Sequence, residues 1–336
     1  TPPSYAAVMS ITLIATGGTI ASTKGDDGVV TTTRSGGDLV SGLASSDELD
    51  VVELPVAGSW NMSGQHALRI ARTAVEALER GAEGVVVTHG TDVLEETAYL
   101  TELIGRRATT RGPIVFTAAM RNASELGADG PRNLADALSV ARDPSAAGKG
   151  VLVCLNGELH HARWVTKTDA NSLLAFSSPG AAPVGKVGTL GARFVLDPPP
   201  PPPAPPEAPR LDARVPIVVS HWDADDELVP WLLSRGARGI IVEAGGAGNV
   251  NQCLLRGLEE ALDAGVPVVV ASRCRGGRVE PVYGGAGGFA TLAERGAVPS
   301  WGLTAGKARL ALQVALDVDP DPAAVRAYFD GLADER

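Results

Sequence analysis

Three short stretches of this chain place hydroxyl, amine and carboxylate side chains where strands give way to turns or helices. The first is Ile14-Ala15-Thr16-Gly17-Gly18-Thr19-Ile20-Ala21. It closes an apolar run, so Thr16 falls at the carboxyl end of a strand, where open α/β sheets bind ligands. Gly17 and Gly18 allow a sharp turn and a close backbone approach. The same pair suits a phosphate loop or a plain tight turn, but the full GxGxxG spacing of a dinucleotide site is missing. The second stretch, VVTHGTDVLEETA over residues 86–98, joins a strand to a helix. Thr91 and Asp92 fall at the helix start and suit N-caps, and Asp92 with Glu95 has a capping-box-like spacing. His89 alone reads as a packed histidine. Repetition lifts the pattern above these bland readings: two strand ends in one domain each offer a threonine hydroxyl beside glycine. The third stretch is Val165-Thr166-Lys167-Thr168-Asp169. A lone lysine is normally a solvated charge. A threonine hydroxyl, however, is a weak nucleophile that needs a base or relay. A lysine desolvated near Thr91 and able to become neutral can be that base.

The elements that must position these groups follow from hydrophobic pattern. Residues 10–15, 51–54, 84–88, 113–117 and 150–155 are nearly continuous runs of Val, Ile, Leu and Thr. Such runs mark strands buried on both faces of a parallel sheet. Between them, residues 65–79 (with Ser63 as N-cap and Gly81 beyond the end), 92–104 and 132–141 carry helical patterns. The alternation predicts right-handed βαβ units and a doubly wound sheet. Residues 198–209 read PPPPPPAPPEAP, nine prolines in twelve. No helix or strand interior accepts that, so a polyproline II spacer between domains is expected. Alternation then restarts, with strands over 215–220, 239–243 and 266–271 and helices over 226–235, 251–264, 304–316 and 322–332. The expected fold class is α/β, two doubly wound Rossmann-like domains over 1–197 and 210–336, joined by the proline-rich linker 198–209.

Composition narrows the function. The 336 residues carry 29 Lys and Arg against 39 Asp and Glu, a formal charge of −10 that argues against a nucleic-acid surface. Aromatic residues, at 4%, are too few for base-stacking platforms. Cys154, Cys253 and Cys274 form no CxxC pair, which excludes a zinc ribbon and disfavours a disulfide framework. No apolar run reaches the length of a membrane span. The first residues, TPPSYAAVM, lack a basic stretch, and their apolar part runs into the first strand. No signal peptide is expected there, and Met9 suits an internal start.

Taken together, the motifs resemble the bacterial L-asparaginase family, which includes glutaminase-asparaginases. The resemblance rests on TGGTIA (16–21), HGTD and EETAY (89–99), AMR (119–121), ADGPRNL (128–134) and VTKT (165–168), in the family's order. It continues through AGGAGNVN (244–251) and ASR (271–273), and the proline run sits in the family's linker position. The resemblance implies that Thr16 attacks the side-chain amide, forming an acyl-enzyme and releasing ammonia. Thr91 and Lys167 would activate a hydroxyl or water, and Asp92 would also hold the substrate α-ammonium. Backbone amides near Thr91 and Ala119 would stabilise the oxyanion. Ser59 would hold the α-carboxylate. A neighbouring second domain would complete each site, with Glu280 as its acid or Tyr283 of the same loop pointing a hydroxyl in instead, and Asn249 is a further substrate-binding candidate. The family implies a homotetramer, a dimer of dimers, with no metal or cofactor, no nucleic acid and no membrane. A cytoplasmic location is expected.

Three departures from the family pattern stand out. The lid, Ser22 to Arg34, lacks the usual tyrosine, and Val29 is nearest by alignment. Its Lys24-Gly25-Asp26-Asp27-Gly28 composition predicts a mobile loop that closes over Thr16. Trp60 follows Ser59 where relatives often have glutamine, and Glu280 is the one acid in the loop from Gly277 to Gly288. The expected activity is conversion of L-asparagine to L-aspartate and ammonia, with weak glutaminase activity. The alternatives are an ammonia-supplying subunit of a tRNA-dependent amidotransferase, and a non-catalytic amino-acid binding protein on the same scaffold.

Overall fold

The structure is a computed structural model that describes residues 10–41, 49–56, 58–206 and 209–333. The expectations for residues 1–9, including Met9, lie outside the described residues. The chain divides into two compact units, Thr1–Pro198 and Pro199–Arg336.

In the first unit β1 (Ile11–Ala15) leads through a hairpin, β2 (Ser22–Lys24) and β3 (Val30–Thr32), and a short helix α1 (Gly36–Val40) to β4 (Leu49–Glu53). Then follow α2 (Gly64–Glu79), β5 (Gly84–Thr88), α3 (Leu94–Gly105), β6 (Ile114–Thr117), α4 (Gly130–Ala141) and β7 (Val151–Leu155). Beyond them come β8 (Glu158–His161), β9 (Thr166–Lys167), β10 (Phe176–Ser177), β11 (Gly185–Gly188) and β12 (Gly191–Phe194). One sheet runs β12-β11-β8-β7-β6-β5-β1-β4. From β4 to β7 the pairing is parallel, as the apolar runs predict. The antiparallel extension through β8, β11 and β12 is a correction. β11 and β12 are short and largely uncovered, and β8, though mostly buried, reads Glu-Leu-His-His, so none carries a continuous apolar run.

The strand side chains alternate between two cores. Ile14, Val85, Val87, Phe116 and Val153 meet α2 and α3 on one face. Leu13, Val86, Val115 and Leu152 meet α1 and α4 on the other. This is the expected doubly wound arrangement, with one exception to the expected handedness. Helices α3 and α4 both carry the chain along the sheet in the same direction, yet they lie on opposite faces. The two crossovers therefore have opposite hands. The crossovers through α1 and α2 share the hand of α3, so the α4 crossover departs from the right-handed rule.

Two local expectations also change. The segment from Ser22 to Arg34 folds as the β2–β3 hairpin, not an irregular loop. The Lys24 amide donates to Ser124 Oγ at 2.9 Å, and the Ala123 amide donates to the Ser22 carbonyl at 2.9 Å. Helix α3 starts at Leu94 and its N-cap is Val93, so Asp92 does not cap it through a capping box with Glu95. Ser63 does cap α2, accepting from the His66 amide.

The second unit holds a parallel sheet, β13 (Ile217–Val219), β14 (Ile240–Ala244), β15 (Val268–Ser272) and β16 (Val298–Pro299), in that order. Helices α5 (Leu228–Ser234) and α6 (Gln252–Asp263) share one core with it. Helix α7 (Phe289–Glu294) is a short addition to that core. Helices α8 (Ala305–Val318) and α9 (Pro322–Asp330) complete the unit. Within the proline run Pro199 and Pro209 are buried, Pro200 and Pro201 are exposed, and a Cβ on Gly331 would meet Pro203 Cγ at 2.8 Å. Among the described residues no helix is long and apolar enough to cross a membrane.

Close packing of α4 on β5 depends on Gly84, where a Cβ would run into the Ala141 carbonyl. Because the obstacle is backbone, Gly84→Ala should cost about 1–3 kcal/mol. A urea midpoint lowered with the slope unchanged is the expected reading.

Candidate active site

The site lies at the carboxyl ends of β1, β5 and β6. Thr16 extends β1 by one residue and is gripped on both sides: its amide donates to the Thr88 carbonyl at 3.2 Å, and the Val56 amide donates to its carbonyl at 3.0 Å. Its hydroxyl, 2% exposed, donates to the same Thr88 carbonyl at 2.8 Å. Gly18, at φ +83°, brings the turn after Thr16 onto the turn before Thr91. A Cβ there would lie 2.6 Å from Gly90 Cα and N, and one on Gly90 would lie 2.6 Å from Ser59 Oγ. Glycine at both places thus lets three separate loops converge.

Thr91 is buried, and its hydroxyl accepts a hydrogen bond from Lys167 Nζ at 2.9 Å. The same amine donates to Asp92 Oδ1 at 2.9 Å. The Lys167 side chain is 18% exposed and that of Asp92 47%, so the amine is drawn out of solvent while the carboxylate borders it. The sequence expectation that Lys167 lies near Thr91 is met.

His89 is fully buried, 6.2 Å from the Phe116 ring, and its Nδ1 lies 2.7 Å from the Gly90 carbonyl. A carbonyl can only accept, so Nδ1 carries the hydrogen. Burial pushes the imidazole down to about 4, against the opposing pull of the Gly90 carbonyl. Fixing the Gly90 oxygen has a consequence in the next atom. That oxygen and the Thr91 N–H belong to one planar trans peptide, so the N–H points the opposite way. Among the described residues neither the Thr91 nor the Ala119 amide has a protein acceptor.

Ala119 is held just as firmly. The Asp129 carboxylate accepts from the Met120 amide at 3.0 Å and the Arg121 amide at 2.9 Å. Asn133 donates to the Ala118 carbonyl at 3.0 Å and to Asp129 at 2.9 Å. The holding roles of His89, Asp129 and Asn133 are not legible from residue type; each becomes visible only once its backbone partner is known.

Ser59 opens a short turn, is buried, and packs on Gly90. Trp60 is 71% exposed, and its ring covers Gly58 of its own loop. Val29 is exposed in the β2–β3 turn. Asn249, Glu280 and Tyr283 belong to the second unit. The Asn249 side chain accepts from the Phe289 amide at 3.2 Å, which ties it to the start of α7. Glu280 and Tyr283 are exposed on the loop that follows β15.

A doubly wound sheet whose strand ends present two threonines, one bound to a lysine–aspartate pair, brings together the groups that hydroxyl-dependent chemistry requires. Comparison with known proteins specifies the family. Residues 10–199 match the family model "Asparaginase, N-terminal", and residues 214–329 match "Glutaminase/Asparaginase C-terminal domain". A probable L-asparaginase of Deinococcus radiodurans is 38% identical over 96% of this chain and 98% of its own length. A probable periplasmic L-asparaginase of Haemophilus influenzae is 33% identical over 96% of this chain and 92% of its own. The crystal structure of a probable cytoplasmic L-asparaginase from Campylobacter jejuni superposes with a TM-score of 0.84, at 30% identity, covering 95% of this chain and 98% of that one. The chain belongs to the asparaginase family.

The state of His89 has a measurable effect on stability. The folded protein holds it neutral down to about 4, whereas the unfolded chain binds a proton below about 6.5. Its contribution is therefore complete above about 6.5 and is lost as pH falls towards 4, up to about 3 kcal/mol. In chemical denaturation across that window, His89→Asn should flatten this part of the pH dependence.

Proposed function

We propose that Thr16 is the nucleophile with which this chain hydrolyses L-asparagine to L-aspartate and ammonia. The activity follows from family membership across both units. Curated L-asparaginases at 30–38% identity that align with nearly the whole chain support it. The acyl-enzyme is our reading, and the Lys167–Thr91 hydrogen bond carries it, because it puts an amine within proton-transfer distance of one strand-end hydroxyl; the amine donates in this arrangement and can take a proton once it has given up its own.

In this reading the Thr16 Oγ–carbon bond forms as its proton leaves through Thr91 towards Lys167. The carbon–nitrogen bond then breaks, and the amide nitrogen departs as ammonia with that proton. Water then attacks the ester carbon, the Oγ–acyl bond breaks, the water proton passes along the same relay back to the Thr16 oxygen, and L-aspartate is released. The Thr91 and Ala119 amides face the developing oxyanion. Thr16 starts on the Thr88 carbonyl and must turn away from it to react, a rotation about one side-chain bond. Asp92 holds the substrate ammonium and Ser59 its carboxylate. In a homotetramer a neighbouring second domain completes each site, with Glu280 or, in its place, Tyr283 of the same loop; both are exposed, which supports that use, and Asn249 is a further candidate. A cytoplasmic location is part of the reading, supported by the name of the Campylobacter jejuni relative and opposed by that of the Haemophilus influenzae one.

Thr16→Ala should lower kcat by roughly 10³-fold or more with the fold intact. In Lys167→Met, a rapid quench with L-asparagine followed by intact-mass measurement should show little or no acylated enzyme. Retention of a tenth of the wild-type rate by Thr16→Ala removes Thr16 from the covalent role.

Specificity gives a second test. Rejecting one extra methylene is worth about 1–3 kcal/mol, so weak glutaminase activity is expected. The exposed Trp60 ring lies over its own loop, which points to a minor part in that preference. The ratio of kcat/KM for asparagine and glutamine should change less than about threefold in Trp60→Gln, a shift under 1 kcal/mol. A larger change assigns the indole a place in the pocket.

A further inference from the structure

Helix α3 carries polar residues where an inward stripe is normally apolar. Glu95, Tyr99 and Glu102 stand at i, i+4 and i+7, on one face. Each of them grips the polypeptide around β7 to β9. Glu102, 2% exposed, accepts from the Val151 amide at 2.8 Å and lies 3.5 Å from His161 Nε2 and 3.6 Å from Arg106 Nε. Tyr99, 1% exposed, has the Arg163 charge beside its hydroxyl. At the head of the stripe, a single oxygen of Glu95, Oε2, accepts from Thr166 Oγ1 at 2.6 Å and from the Lys167 amide at 2.6 Å.

We infer that Glu95 is a positioning residue for Lys167, fixing its backbone and the neighbouring Thr166 hydroxyl so that the amine is held on Thr91. The inference rests on the role given to Lys167 above. The need for such a residue comes from topology. The strand that carries Lys167 is two residues long and pairs only with β10, in a separate two-stranded ladder. The large sheet, which fixes Thr16 and Thr91, therefore does not set its register. A lysine amine sits at the end of a long flexible stem, so its position is only as certain as that of its own backbone. Glu95 supplies that certainty from α3, the helix that begins two residues after Asp92. Both partners of the amine and the anchor of its backbone thus belong to one continuous piece, Thr91 to Glu95. Glu102 ties the rest of the helix to the start of β7 through the Val151 amide, which steadies the support that Glu95 gives.

The test compares Glu95→Ala, Glu95→Gln and Thr166→Val with Lys167→Met in steady-state assays on L-asparagine, with thermal melting of each. A displacement of about 1 Å at a reacting group can cost about 10²-fold. Glu95→Ala should therefore lower kcat by about 10- to 100-fold while KM stays within about twofold, the mark of an interaction needed in the transition state. Glu95→Gln retains an oxygen acceptor at the same place and should recover most of kcat. Thr166→Val removes one of the two bonds and should lower kcat by a smaller factor; it serves as the readout if Glu95→Ala fails to fold. A lowered melting temperature with kcat per folded enzyme unchanged, or Glu95→Gln as impaired as Glu95→Ala, overturns the inference. Loss of turnover in Lys167→Met with Glu95→Ala unaffected overturns this inference alone. Turnover preserved in Lys167→Met overturns the role of the lysine, and the inference falls with it.

Discussion

A single amine held between a hydroxyl and a carboxylate is the interaction on which the rest of this structure depends. Lys167 Nζ lies 2.9 Å from both Thr91 Oγ1 and Asp92 Oδ1. Removing an ammonium from water is costly unless it is paired, and Asp92 provides the pairing. Asp92 is half exposed and Lys167 mostly covered, so the pair sits where the site meets solvent. Acid–base chemistry then needs only that the backbone of both strand ends be still.

The sheet order explains why the site is where it is. From β1 the chain moves outward to β4, with α1 on one face, and returns past β1 to β5, with α2 on the other. The direction of winding reverses between β1 and β5, and at such a switch point the loops diverge and leave a crevice. Thr16 and Thr91 emerge on its two sides. Gly18 and Gly90 then narrow the crevice until backbone meets backbone. The reversed hand of the α4 crossover affects the third wall. It puts α4 on the face of α1, and Asp129, at the N-terminus of α4, holds the backbone after Ala118 by two amides.

Much of this was legible in the sequence, for a physical reason. Strands buried on both faces need unbroken apolar runs, so β1, β5, β6 and β7 could be located closely. Glycine beside threonine at two strand ends exposed the crevice. What remained hidden has no local signal. A two-residue strand such as β9 has no periodicity to detect, and the hand of the α4 crossover depends on which face a helix packs against. Short antiparallel strands at the sheet edge are half exposed and resemble loops in composition. The Gly-Asp-rich segment after Ser22 looked irregular for the opposite reason: its hairpin is held by cross-strand and Ser124 contacts that composition does not encode.

Glu95 shows how a correct local rule can conceal a distant role. Three residues after an Asp at a helix start, a Glu suits a capping box, and the spacing alone gives no reason to look further. In the folded chain the helix starts later, at Leu94. Glu95 then falls in its first turn and faces inward, towards a strand seventy residues further along. Capping is a contact between sequence neighbours and is available in the unfolded chain as a helix nucleates. The contact with Lys167 spans about seventy residues and needs the chain beyond β8 to return to α3. Groups brought together across such a separation are the ones a one-dimensional reading assigns to the nearest partner. They also tie the place of the Lys167 amine to the packing of α3, because the Lys167 amide and the Thr166 hydroxyl both rest on Glu95.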